Sequence, residues 1–120
     1  MTVPTLKTST SWVGTTAVCT FVGDVLPENV AVMAGALEAA LDGAPAMPAA
    51  NLSEVDLFTS TGLNMLLTVR RTAAGRDVPL VLIAPSAGVR RVLQVTEADA
   101  LFPVYASTDQ ARAAREAGQV

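Results

Sequence analysis

An α/β fold built on a mainly parallel sheet follows from three features of this sequence. β-branched, apolar runs alternate with stretches whose apolar residues recur at helical spacing. Breaker-rich segments separate them, at Gly23-Asp24, at residues 43–48 and at Gly75. One run, Leu80-Val-Leu-Ile-Ala84, is apolar throughout, as a strand covered on both faces requires. Strands alternating with helices of this length pair in parallel through right-handed crossovers. The expectation is a single domain over residues 1–120, with four to five strands and about four helices.

Taken in order, residues 1–14 are rich in threonine and serine, with Val3, Leu6 and Trp12 as apolar points. They suit a short edge strand and a turn at Gly14. Residues 15–22 form the first strong strand, which Gly23-Asp24 should end as a turn. Residues 28–42 are helical, with Pro27 near the first turn and Val30, Met33, Ala34, Leu37 and Leu41 on the core face. Gly43 stops that helix. Residues 49–58 supply the next strand, although alanine and asparagine at its start have little β-propensity.

Residues 60–74 are a helix buried over most of its circumference. Its polar positions Asn64, Thr68, Arg71 and Thr72 form one narrow stripe. Residues 80–84 are the covered strand. Ser86 can cap a helix that buries Val89, Val92 and Leu93 and exposes Arg90, Arg91 and Gln94. Residues 103–105 are a short last strand. Ser107-Thr-Asp-Gln110 has the form of a capping box and opens a helix to about Glu116.

Composition narrows the chemistry. In 120 residues, 51% are hydrophobic and 16% charged, which fits a folded domain with a substantial core. A net charge of -3 leaves no electrostatic footprint for nonspecific nucleic-acid binding. Histidine is absent, which removes the commonest general base and the commonest metal ligand. The lone Cys19, in Ala-Val-Cys-Thr-Phe-Val, reads as a small core residue. There is no run of the ~20 apolar residues that spans a bilayer, and no signal-peptide pattern. These features predict a cytoplasmic protein without a membrane segment. No Walker or Gly-x-Gly-x-x-Gly pattern is present, so no cofactor is expected.

The stretch with most to say about function is residues 55–67. Leu57-Phe58 runs into three hydroxyl residues, Thr59, Ser60 and Thr61, then Gly62 and a helix. Ser60 sits where an N-cap is expected, and amides at a helix start favour negative charge. As a nucleophile Ser60 lacks an activating base and a Gly-x-Ser-x-Gly setting. As a phosphoacceptor it would stand at the mouth of the sheet, where open α/β folds meet ligands and partners. From residue chemistry alone the cap outweighs the phosphoacceptor. Asp24, Glu54 and Asp56 lie near strand ends, and such acids are usually only solvated. Arg70-Arg71 and Arg90-Arg91 read mainly as solvated helix faces.

Asn51-Leu-Ser-Glu-Val-Asp-Leu-Phe-Thr-Ser-Thr-Gly-Leu63 resembles the central signature of the STAS domain, the family of bacterial anti-sigma factor antagonists. The usual form is Asp-Leu-Ser-Gly-Val-x-Phe-hydrophobic-Asp-Ser-small-Gly-Leu. Phe21-Val-Gly-Asp24 is similar to the family's hydrophobic-x-Gly-Glu segment, and residues 80–84 and 89–93 match its later strand and helix. The resemblance implies a non-enzymatic switch. The antagonist binds an anti-sigma factor that is often also its serine kinase, phosphorylation of the signature serine abolishes binding, and a serine phosphatase restores it.

Carried onto this sequence, the resemblance makes Ser60 the phosphorylation site. It makes Asp24, Thr59, Ser60, Thr61, Gly62, Asn64, Thr68 and Arg71 the partner-binding surface. Three family acids are replaced, by Thr59, by Asn51 and by Leu26. The alternative is a degenerate STAS module that acts as a phosphorylation-independent scaffold. A deep apolar pocket beside Ser60 would instead favour a small-molecule or lipid-binding sensor or a hydrolase. Exposure of Leu57 or Phe58 would mark a self-association surface, and hence a homodimer.

Overall fold

Five strands in sequential order carry the fold, with every connection from the second strand onward passing through a helix. The computed structural model describes residues 5–118, so Val3 lies outside them. β1 (Lys7–Val13) and β2 (Thr16–Val25) form an antiparallel pair joined at Gly14, whose φ of +60 suits glycine. β3 (Met47–Phe58), β4 (Val81–Ile83) and β5 (Val104–Tyr105) then add in parallel, giving the order β1-β2-β3-β4-β5. The mainly parallel five-stranded sheet and four helices agree with the expectation from sequence.

Because each crossover steps the same way along the sheet, right-handed connections put α1 (Val30–Asp42), α2 (Ser60–Gly75) and α3 (Ala87–Val95) on one face. There the larger core forms, around Phe21, Met33, Leu37, Leu52, Leu66 and Leu93. α4 (Thr108–Glu116) follows β5 and covers the opposite face, where Ala111 meets Val18, Met47, Ala49, Val81 and Ile83. Alternation along the strands feeds both layers, with Ala49 to one side and Ala50 to the other. Both alanines are wholly buried in a central strand, so close packing of two layers outweighs their weak β-propensity.

Several boundaries differ from the sequence reading. β2 continues through Gly23-Asp24 to Val25, so that pair is a bulge rather than a turn. β3 begins at Met47, inside the expected linker, because parallel pairing with Thr16 captures it. α1 begins at Val30, since Pro27 and Glu28 belong to a turn in which the amides of Asn29 and Val30 both donate to Leu26 O. A 3-10 turn, Ala98–Leu101, was not anticipated, and it follows Glu97 at a positive φ of 60. Cys19 is fully buried as expected, accepts a hydrogen bond from Thr10 and has its thiol pKa raised by burial.

Candidate functional site

The C-terminal ends of β2 and β3 and the first turn of α2 meet at one end of the sheet. Val25 pairs with Phe58 across the two strands, and α2 starts directly after β3. Gly23 adopts φ +125, and a side chain there would lie 2.7 Å from the carbonyl oxygen of Thr5. Only glycine fits that bulge. The bulge aims Asp24 at β3, where its Oδ1 accepts from the amide of Leu57 at 3.1 Å. Buried Asn29 locks the following turn, donating through Nδ2 to Asp24 O and accepting from Leu26 N, both at 2.9 Å.

Thr59, not Ser60, holds the N-cap position of α2, which corrects the expectation. Its backbone is still extended, with φ −108 and ψ 169, and its hydroxyl is used elsewhere. Thr59 Oγ1 donates to Val25 O at 3.2 Å, tying the helix start to β2 instead of capping the helix. Ser60 becomes the first helical residue. It is exposed, and its hydroxyl makes no hydrogen bond among the described residues. α3 and α4 differ, since Ser86 accepts from Val89 N at 3.4 Å and Ser107 from Gln110 N at 3.1 Å. Of these three helices, α2 alone opens without a side-chain cap. The exposed Ser60 hydroxyl therefore stands at the positive end of the α2 dipole, where no side chain caps the first turn.

Gly62 is buried beneath this turn. A Cβ on it would come within 2.7 Å of Phe58 Cε1 and 2.9 Å of Val25 Cγ1. Its part in the site is to let α2 sit down on the strand ends, while Thr61 is half-buried beside it. Asn64, Thr68 and Arg71 are all exposed along α2. Thr68 Oγ1 donates to Asn64 O at 3.0 Å and accepts from Arg71 Nη2 at 3.5 Å, so the stripe is linked along its length.

The acids near this end do not form a metal site. No group of three or more Asp, Glu, His or Cys residues comes together among the described residues. Asn51, in place of a family acid, accepts from its own neighbour Ser53 N at 3.1 Å. The sequence leaves Leu57 and Phe58 as equal candidates for the apolar component of this surface. Leu57 is 50% exposed next to the Asp24 contact, while Phe58 turns inward at 4%. Period-two alternation cannot separate the two, because the register shift between Gly23 and Val25 falls opposite them. Clefts of about 240 to 490 Å³ open elsewhere on the molecule, and Ser60 lines none of these.

A family model described as Mlab, STAS domain, matches residues 8–103, from β1 to the residue before β5. The chain belongs to the STAS-domain family. The fold of this STAS domain also recurs in solved structures. An anti-sigma factor antagonist from Mycobacterium paratuberculosis superposes with a TM-score of 0.83 at 22% identity, covering 92% of this chain and 93% of that one. The anti-sigma factor antagonist SpoIIAA in its unphosphorylated form gives 0.76 at 21% identity, with 95% and 99% covered. The Bacillus cell fate determinant SpoIIAA in its phosphorylated form gives 0.68 at 20% identity, with 88% and 96% covered. A comparison with curated proteins gives no significant match. Among the described residues of this STAS domain, no helix is long and apolar enough to cross a membrane.

Proposed function

We propose that this STAS domain is a non-enzymatic, cytoplasmic anti-sigma factor antagonist that regulates transcription by partner switching. Its surface is the Ser60 end of the sheet, with Asp24, Thr59, Thr61, Leu57 and the Asn64-Thr68-Arg71 stripe around it. The partner is an anti-sigma factor with serine kinase activity, and a serine phosphatase resets the switch. The observation that carries this reading is the Ser60 hydroxyl, exposed at an uncapped helix start and without structural employment. The solved SpoIIAA structures, one unphosphorylated and one phosphorylated, support it as neighbours in fold.

The physics separates fold from binding. Phosphate at Ser60 adds a charge of roughly -1.5 to -2 beside helix-start amides, which tolerate it, so the domain itself stays folded. Within a complex the same charge is buried against a surface fitted to a neutral hydroxyl, and binding weakens by ~2 kcal/mol or more, at least about thirtyfold. Incubation with the cognate kinase and ATP labels the parent at Ser60, leaves Ser60→Ala unlabelled and dissociates the complex. Equal labelling of Ser60→Ala would overturn the site.

A second reading rests on Leu26, Thr59 and Asn51. Without the three family acids, and with Leu57 exposed, the same end serves as a phosphorylation-independent scaffold surface that meets an apolar partner or a second copy. Unchanged partner binding by Ser60→Asp selects this reading, and loss of binding with an unaltered melting temperature selects the switch.

A further inference from the structure

The end of the sheet opposite Ser60 holds a second polar constellation. α4 lays Ala111 and Ala114 against the sheet, which brings Arg112 and Arg115, both half-buried, beside the turn between β1 and β2. Arg112 Nη2 comes within 3.5 Å of where a Cβ on Gly14 would lie. The two arginines, with Val13, Thr15, Thr16 and Glu116, line a cleft of about 340 Å³. That is at the small end of the range for small-molecule sites.

Neither guanidinium has a hydrogen bond or ion pair among the described residues. Arg70, Arg71, Arg76 and Arg90 each donate at least one hydrogen bond. Glu116, although it lines the same cleft, forms a salt bridge with neither arginine. Thr16 is 4% exposed, and its hydroxyl also lacks a hydrogen-bond partner among the described residues. Two half-buried guanidiniums lose hydration with no paired carboxylate among the described residues, which is unfavourable unless a bound anion supplies the counter-charge. Their stems could cover Val13 without both head groups converging on one opening.

We propose that this cleft binds a small phosphate monoester, with Arg112 and Arg115 gripping the phosphate oxygens and the Thr15 and Thr16 hydroxyls donating beside them. Arginine forks match tetrahedral oxyanions, and charge-assisted hydrogen bonds of this kind are the strong ones. The phosphate could be carried by a soluble metabolite or by a lipid head group, and the chemistry recognised is the same. The site lies at the far end of the strands from Ser60, so it stands independently of the proposed switch.

Nuclear magnetic resonance titration of the full chain with glycerol 3-phosphate tests it, with flotation on phosphatidylcholine vesicles containing phosphatidic acid as the lipid arm. Saturable shifts at residues 13–16 and along α4, reduced at least about tenfold in affinity by Arg112→Gln with Arg115→Gln, establish the soluble source. Flotation that requires phosphatidic acid and is lost in the same double variant, without a response to glycerol 3-phosphate, establishes the lipid source. Glu116→Gln keeps both arginines and removes a repelling carboxylate, so it tightens either interaction severalfold. Absence of saturable binding in both arms, or binding that the double variant retains in full, overturns the proposal.

Discussion

Gly62 and Gly35 both lie within helices, yet a methyl group added at each would meet opposite surroundings. At Gly35 on α1 nothing lies within 4 Å, so alanine gains helix propensity at no steric cost. At Gly62 the methyl would press on Phe58 and Val25, whose nearest atoms stand at 2.7 and 2.9 Å. Overpacking of ~1–3 kcal/mol outweighs a propensity gain of ~1 kcal/mol. Gly35→Ala is expected to stabilise the domain by about 0.5–1 kcal/mol and Gly62→Ala to destabilise it by about 1–2 kcal/mol, read from urea midpoints at constant slope. Equal gains at both positions would show that Gly62 does not set the seat of α2. The same wedge would lift Ser60 from its place, so Gly62→Ala should also weaken partner binding that Gly35→Ala leaves intact.

Helix starts decide how the elements dock, and α3 is the most firmly anchored of them. Ser86 accepts from Val89 N, its hydroxyl donates to Val55 O, and its amide donates to Leu52 O at 3.2 Å. Gly88 lets the helix approach so closely that a Cβ would stand 2.6 Å from Asp56 O. Ser86→Ala therefore loses a cap and a half-buried bond to the central strand, about 1.5–2.5 kcal/mol, while Ser107→Ala loses only an exposed cap, about 0.5–1 kcal/mol. Comparable losses in urea unfolding would remove the anchoring role. Both caps were legible in the sequence, because a serine before an apolar helical pattern has one ready structural use. Ser60 was legible as important but misplaced by one residue, since Thr59-Ser60-Thr61 offers three equivalent hydroxyls and only the bond from Thr59 to Val25 selects among them. Gly23-Asp24 has the composition of a turn, and only pairing with β3 shows that the strand continues. The 3-10 turn and the arginine cleft arise from contacts between distant segments, and neither leaves a local pattern.

At the scale of the whole molecule the sheet separates two functional ends. Ser60 and the exposed Leu57 sit at the C-terminal ends of the strands, and Arg112 and Arg115 sit beside the start of β2. Between them lies a core whose one titratable group is Cys19, among the described residues that are wholly buried. With no histidine in the chain, no side chain has an ordinary pKa between those of the carboxylates and the thiol. Stability should therefore change little between about pH 6 and 8. Burial raises the Cys19 pKa in the folded state, while the unfolded chain exposes a thiol that ionises near its ordinary value of about 8.5. The folded state thus holds the proton more firmly. The contribution is complete below about pH 8.5 and is lost as the pH rises through the folded value. Cys19→Ala removes this linkage along with some packing. The parent's stability advantage over the variant should accordingly be constant to about pH 8 and narrow above it, in urea unfolding followed from pH 6 to 10. The same protected thiol should stay inert to alkylating reagents until the domain unfolds. An advantage as large at pH 10 as at pH 7, or rapid alkylation of the native chain, would mean that Cys19 is reached by solvent and that the core opens between its two ends.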